Sequence, residues 1–89
     1  RDLAVVVSES VPVQQLLDCV RTAAGTALRE TTVFDIYRGT GIETGRKSVA
    51  IGLNLQEVSR TLTDEEIDAV VAQVVKDLER EHSATIRDK

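Results

Sequence analysis

The chain has 89 residues, with 11 Lys and Arg against 15 Asp and Glu, a formal charge of -4, and one cysteine. A chain this short buries only about 60% of the surface its unfolded form exposes, so it supports one domain with a modest core and has no room for an enclosed substrate cavity as well. Cys19 cannot form an internal disulfide, and no apolar run approaches the roughly 20 residues that a membrane helix requires.

Residues 2–8, an unbroken run of small and β-branched residues, predict a strand. Ser10 and Pro12 then signal a helix start, because the N–H that proline lacks is unsatisfied in a first turn anyway. Val13, Leu16, Leu17, Val20 and Ala24 recur at helical spacing, and Gly25 is the expected stop. Residues 28–37 alternate: Thr32, Phe34 and Ile36 fall on one face, and Val33, Asp35 and Tyr37 on the other. Phe34 is expected inside and Tyr37 outside. The glycine-bearing segment 38–47 reads as a loop, and residues 48–55 as a second alternating strand with Val49, Ile51, Leu53 and Leu55 inward.

Thr63-Asp64-Glu65-Glu66 is a capping box, in which a threonine hydroxyl and a glutamate carboxylate satisfy two orphan N–H groups reciprocally. The helix it opens buries Ile67, Val70, Val71, Val74 and Leu78. A short strand at 84–87 closes the chain. The order β-α-β-β-α-β predicts an α+β, ferredoxin-like fold: a four-stranded antiparallel sheet with two helices on one face. The other face is then left open, as antiparallel sheets allow. Its expected residues include Asp2, Ala4, Val6, Val33, Asp35, Tyr37, Ser48, Ala50, Gly52, Asn54, Thr85 and Arg87.

The sequence offers no catalytic constellation and no metal site. Gly41 and Gly45 do not make a P-loop, since three residues rather than four separate them and Arg46 precedes Lys47-Ser48. The glycines read as loop formers, although Arg46 and Lys47 are candidates for phosphate contact. His82 is the only histidine and reads as a helix-terminal or surface residue. Cys19 has no ligand partner at metal-binding spacing and reads as a small boundary hydrophobe.

A charge of -4 argues against nucleic acid as a partner. The acids are concentrated, however: residues 61–82 hold seven against Lys76 and Arg80, which leaves the rest of the chain at +1. The third strand carries no aromatic residue, so a generic RNA-recognition motif is not indicated. Tyr37 remains as a single stacking platform beside small residues, against the alternative that it is an ordinary strand tyrosine.

Four segments in this order and at these distances resemble a known family: residues 1–7 (Arg-Asp-Leu-Ala-Val-Val-Val), 34–39 (Phe-Asp-Ile-Tyr-Arg-Gly), 45–50 (Gly-Arg-Lys-Ser-Val-Ala) and 60–66 (Arg-Thr-Leu-Thr-Asp-Glu-Glu). They are similar to the C-terminal anticodon-binding domain of the β subunit of bacterial phenylalanyl-tRNA synthetase. The resemblance covers essentially the whole chain, which begins at Arg1 and reads as one domain, 1–89, excised from the C-terminus of a larger protein. It implies a non-catalytic fragment of an α2β2 ligase that uses ATP and Mg²⁺, the fragment itself holding no cofactor. The implied partners are the tRNA(Phe) anticodon stem-loop, the rest of the β subunit and the α subunit, and no membrane. With no signal-peptide pattern, cytoplasm is the expected location.

The resemblance also implies a site: Asp35, Tyr37, Ser48 and Arg87 around the first anticodon base, a guanine, with Arg46 and Lys47 nearby. The chemistry of these residue types fits. A carboxylate accepts from guanine N1–H and N2–H together, a pair that adenine does not offer. Tyr37 supplies a stacking face, Ser48 a small two-way hydrogen bonder, and Arg87 a stacking or phosphate-pairing cation. The competing expectation is a ferredoxin-like protein-interaction or small-ligand regulatory module pairing through sheet edges or faces.

Overall fold

The computed structural model describes residues 1–56 and 61–88, and the side chains of these apart from Arg87 and Asp88. Arg60, part of the last resemblance segment, therefore lies outside the described residues. The elements run β1 (Asp2–Ser8), α1 (Val13–Ala24), a 3-10 turn (Gly25–Ala27), β2 (Leu28–Tyr37), β3 (Arg46–Leu55), α2 (Asp64–His82) and β4 (Thr85–Asp88). The sheet order is β2-β3-β1-β4, and every neighbouring pair is antiparallel. This is the ferredoxin-like α+β fold.

Strand alternation sorts the two faces. Leu3, Val5 and Val7 of β1 and Val49, Ile51 and Leu53 of β3 are buried and share one core with Leu16, Cys19 and Val20 of α1 and Val71, Val74 and Leu78 of α2. Both helices therefore pack on the same side of the sheet. The intervening residues Ala4, Val6, Ser48, Ala50 and Gly52 take the other side, because successive side chains of a strand point to opposite faces. No helix of the described residues is long and apolar enough to cross a membrane.

The helix ends differ in construction. α2 carries the expected capping box: Glu66 N–H donates to the Thr63 hydroxyl at 3.2 Å, and Thr63 N–H to the Glu66 carboxylate at 3.0 Å. Three acids then occupy its first turn, where the partial positive charge of the helix end favours them. α1 has no side-chain cap; Pro12 precedes it in an extended conformation, and Gly25 ends it at φ 60°.

β2 departs from simple alternation. The register steps from Val33 opposite Ile51 to Asp35 opposite Ala50, so Phe34 is an extra residue in a β-bulge. The expectation that Phe34 is buried is overturned: it is 61% exposed, and its ring lies over Gly52 on the helix-free face. Val33, expected on that open face, instead stands opposite the core residue Ile51, on the helix side. β3 also starts two residues earlier than predicted, taking Arg46 and Lys47 out of the loop.

Candidate nucleic-acid interface

The register lays the open face out in rows, since residues directly opposite one another in antiparallel strands point to the same side. Asp35, Ala50, Ala4 and Arg87 form one row across all four strands. Tyr37, Ser48, Val6 and Thr85 form the next. Asp35 and Tyr37 are thus neighbours on one edge, about 6.6 Å apart along the strand, over a floor of small residues. Three strand spacings separate Asp35 from the backbone of Arg87, about 14 Å. The Arg87 side chain lies outside the described residues.

Tyr37 is held in place. Its hydroxyl donates to the Thr40 carbonyl at 2.9 Å, and the ring stays 44% exposed. Gly39 shapes the turn beside it: at φ +137° its backbone takes a conformation that other residues adopt only under strain. Below the loop, Glu9 pairs with Arg38 and lies 3.8 Å from the Lys47 ammonium. The Arg38 hydrogen bond holds the Glu9 carboxyl below the usual range.

Not every sequence candidate reaches this face. Lys47 stands opposite Val7, on the helix side, and is 6% exposed. Its ammonium donates to the Glu9 carbonyl at 3.2 Å. It buttresses the corner after β1. Arg46 follows the open-face parity of Ser48, but its guanidinium is engaged with the Val6 carbonyl at 2.9 Å and the Ser83 carbonyl at 3.4 Å, tying β3 to β1 and to the entry of β4. It is partly exposed at the lower rim of the site. Phe34, missed as a surface residue, adds a second aromatic ring to the face.

The fold also brings Cys19 Sγ, a Glu81 oxygen and a His82 ring nitrogen within 4.8 Å of one another, where α1 packs on the end of α2. Linear spacing concealed that grouping. Burial, aided by the negative charges of Glu81 and Asp77, pushes the thiol up to about 11. Without a metal, Cys19 is a protonated packing residue at neutral pH.

Residues 1–87 match the family of ferredoxin-fold anticodon binding domains. The chain is 55% identical over 87 residues to a phenylalanine–tRNA ligase β subunit from Xanthomonas campestris pv. campestris, covering 98% of the chain and 11% of that protein. The β subunit from Methylococcus capsulatus is 42% identical over 88 residues, 99% of the chain and 11% of its own length. That from Pasteurella multocida is 43% identical over 88 residues, with the same coverage. The chain thus spans about a tenth of the length of the curated relatives it matches.

Proposed function

Because the chain belongs to the family of ferredoxin-fold anticodon-binding domains, we propose that its open sheet face takes the anticodon region of tRNA(Phe) and reads the first anticodon base. The observation that carries this reading is the shared placement of Asp35, Tyr37 and Ser48 on the helix-free face, with the backbone of Arg87 in the Asp35 row. Asp35 accepts hydrogen bonds from the base edge, Tyr37 stacks on its plane, Ser48 completes the edge contacts, and Arg87 closes the far side.

The two cations already engaged within the fold act differently. Lys47, already bound to Glu9, supports the corner beneath the Tyr37 loop. Arg46 keeps a secondary place at the rim, where the guanidinium N–H groups not bound to Val6 and Ser83 suit a phosphate. On this reading residues 1–89 are one domain near the C-terminus of a β subunit and perform no chemistry. Aminoacylation, with ATP and Mg²⁺, resides elsewhere in an α2β2 phenylalanine–tRNA ligase in the cytoplasm.

The test is a steady-state comparison, in the full ligase, of tRNA carrying guanine or adenine at the first anticodon position. Asp35→Ala removes a charged acceptor worth about 1.5–3 kcal/mol. The advantage of guanine in kcat/KM should shrink by about 10- to 150-fold where water does not replace the contact. An Asp35→Ala ligase that keeps its full preference for guanine removes the carboxylate from recognition.

A further inference from the structure

Phe34 is the most exposed of the large hydrophobic residues identified at the surface, at 61%, on a chain with only one phenylalanine and one tyrosine. Its placement is built rather than incidental. The bulge between Val33 and Asp35 turns its ring away from the core and onto the open face. Bulges re-aim side chains in this way, most often at sheet edges and beside functional sites. The ring then rests where only a glycine leaves room: a Cβ on Gly52 would meet two ring atoms at 2.6 and 2.8 Å. Gly52 has an ordinary backbone conformation and sits inside a strand, so no turn accounts for it. Close approach of another group does.

The surroundings say what the ring is for. Asp2 stands opposite Gly52 in the register, and its Oδ1 approaches the same point above Gly52, at 3.3 Å. An aromatic face with a carboxylate beside it repeats the pairing of Tyr37 with Asp35, four residues along β3 or about 13 Å away. A carboxylate repels phosphate but accepts from the exocyclic amino group of a base, and stacking on an exposed ring suits any base.

We propose that Phe34, seated on Gly52 beside Asp2, is a second stacking subsite that takes another unpaired base of the same RNA strand, with an amino-bearing edge turned to Asp2. This deepens the reading of the open face given above and rests on it. The sheet then holds two splayed nucleotides instead of one.

The experiment uses the full ligase and a set of tRNA(Phe) transcripts, each with one abasic nucleotide in the anticodon loop, titrated at one fixed salt concentration. With the unaltered ligase, removing one base other than the first anticodon base should weaken binding by about 5- to 150-fold. Phe34→Ala should weaken binding of intact tRNA by a similar factor and abolish the sensitivity at that one position. Phe34→Tyr should restore both. Gly52→Ala, which displaces the ring while keeping it, should resemble Phe34→Ala. Uracil at the same position should bind more weakly than adenine or cytosine, and Asp2→Ala should remove that difference. A Phe34→Ala ligase whose abasic series runs parallel to that of the unaltered ligase overturns the second subsite. If Asp35→Ala in the same series still alters selectivity at the first base, only this inference fails; if Asp35→Ala is silent too, the reading of the whole face fails with it.

Discussion

On the proposed reading Tyr37 has two roles that one atom separates, the stacking face of its ring and the hydroxyl that ties the ring to the loop. The tether is the 2.9 Å bond to the Thr40 carbonyl, and it is solvent-exposed. An exposed neutral hydrogen bond contributes about 0.5–1 kcal/mol, the lower part of the general range. Tyr37→Phe keeps the ring and loses only this tether, so tRNA binding by the full ligase should weaken no more than about fivefold. Tyr37→Ala removes the ring, which is worth about 1–3 kcal/mol per stacked base, a loss of about 5- to 150-fold. Because every base has a face to stack, the Tyr37→Ala loss should be similar for guanine and adenine at the first anticodon position. The assay is equilibrium titration of both tRNAs with both variants at a single salt concentration. If Tyr37→Phe were as damaging as Tyr37→Ala, the hydroxyl and not the ring would be the contact. If Tyr37→Ala bound both tRNAs normally, the face would have no platform at this row.

Further outcomes follow from local geometry. Thr63→Ala removes one half of the α2 capping box and should cost about 1 kcal/mol, lowering the thermal midpoint of the chain by about 4–8 °C in calorimetry. With its thiol pushed up to about 11, Cys19 should alkylate at pH 8 roughly a hundredfold more slowly than a free cysteine, the rate rising steeply toward the alkaline end; alkylation at the free-cysteine rate would contradict its burial. Glu9 has its carboxyl held down chiefly by Arg38, so its contribution is present above the ordinary value of 4.5 and fades as pH falls through the lower folded value. Denaturant midpoints of the chain and of Glu9→Gln should therefore differ at neutral pH and converge in acid.

Much of this architecture was legible because its signals are local. The Thr63 capping box lies within four residues, β1 is a continuous apolar run buried from Leu3 to Val7, and in most of β3 small or polar residues separate the buried ones. β2 is different. Val33, Phe34, Ile36 and Tyr37 are all apolar or amphipathic, broken only by Asp35, so hydrophobicity gives no phase to the strand. As an edge strand β2 also meets less of the helical layer, and even its helix-side residues Val33 and Ile36 remain 36% and 38% exposed. Strict alternation then put Asp35 and Tyr37 on the correct face but sent Phe34 to the wrong one, since the bulge at Phe34 shifts the phase of residues 30–33, up to a second register shift between Leu28 and Glu30. The burial of Lys47 was hidden for another reason. A lysine beside a glycine-rich loop looks free for phosphate until the fold supplies Glu9, 38 residues away. The grouping of Cys19 with Glu81 and His82 is likewise tertiary, set by the packing of α1 on α2.

The charge of the chain bears on what this face contributes to binding. Asp64, Glu65, Asp68 and Glu79 are exposed on α2, behind the sheet, and so do not face an RNA lying on the open side. Yet that side is not basic either: Asp2, Glu30 and Asp35 follow its parity, against Arg46 and the backbone position of Arg87. Nucleic-acid affinity that comes from releasing counterions requires a cluster of Lys and Arg, which the described side chains of this face do not form. On the proposed reading its contacts are of the kind that discriminate, namely carboxylate acceptors and aromatic faces. Such a surface becomes effective when the rest of a larger ligase already holds the tRNA, because the second contact is then intramolecular and set by effective concentration. On the proposed reading, the energy of Asp35 and Tyr37 therefore appears as selectivity in kcat/KM of the assembled ligase, where the grip on the RNA backbone is supplied by other parts of the protein.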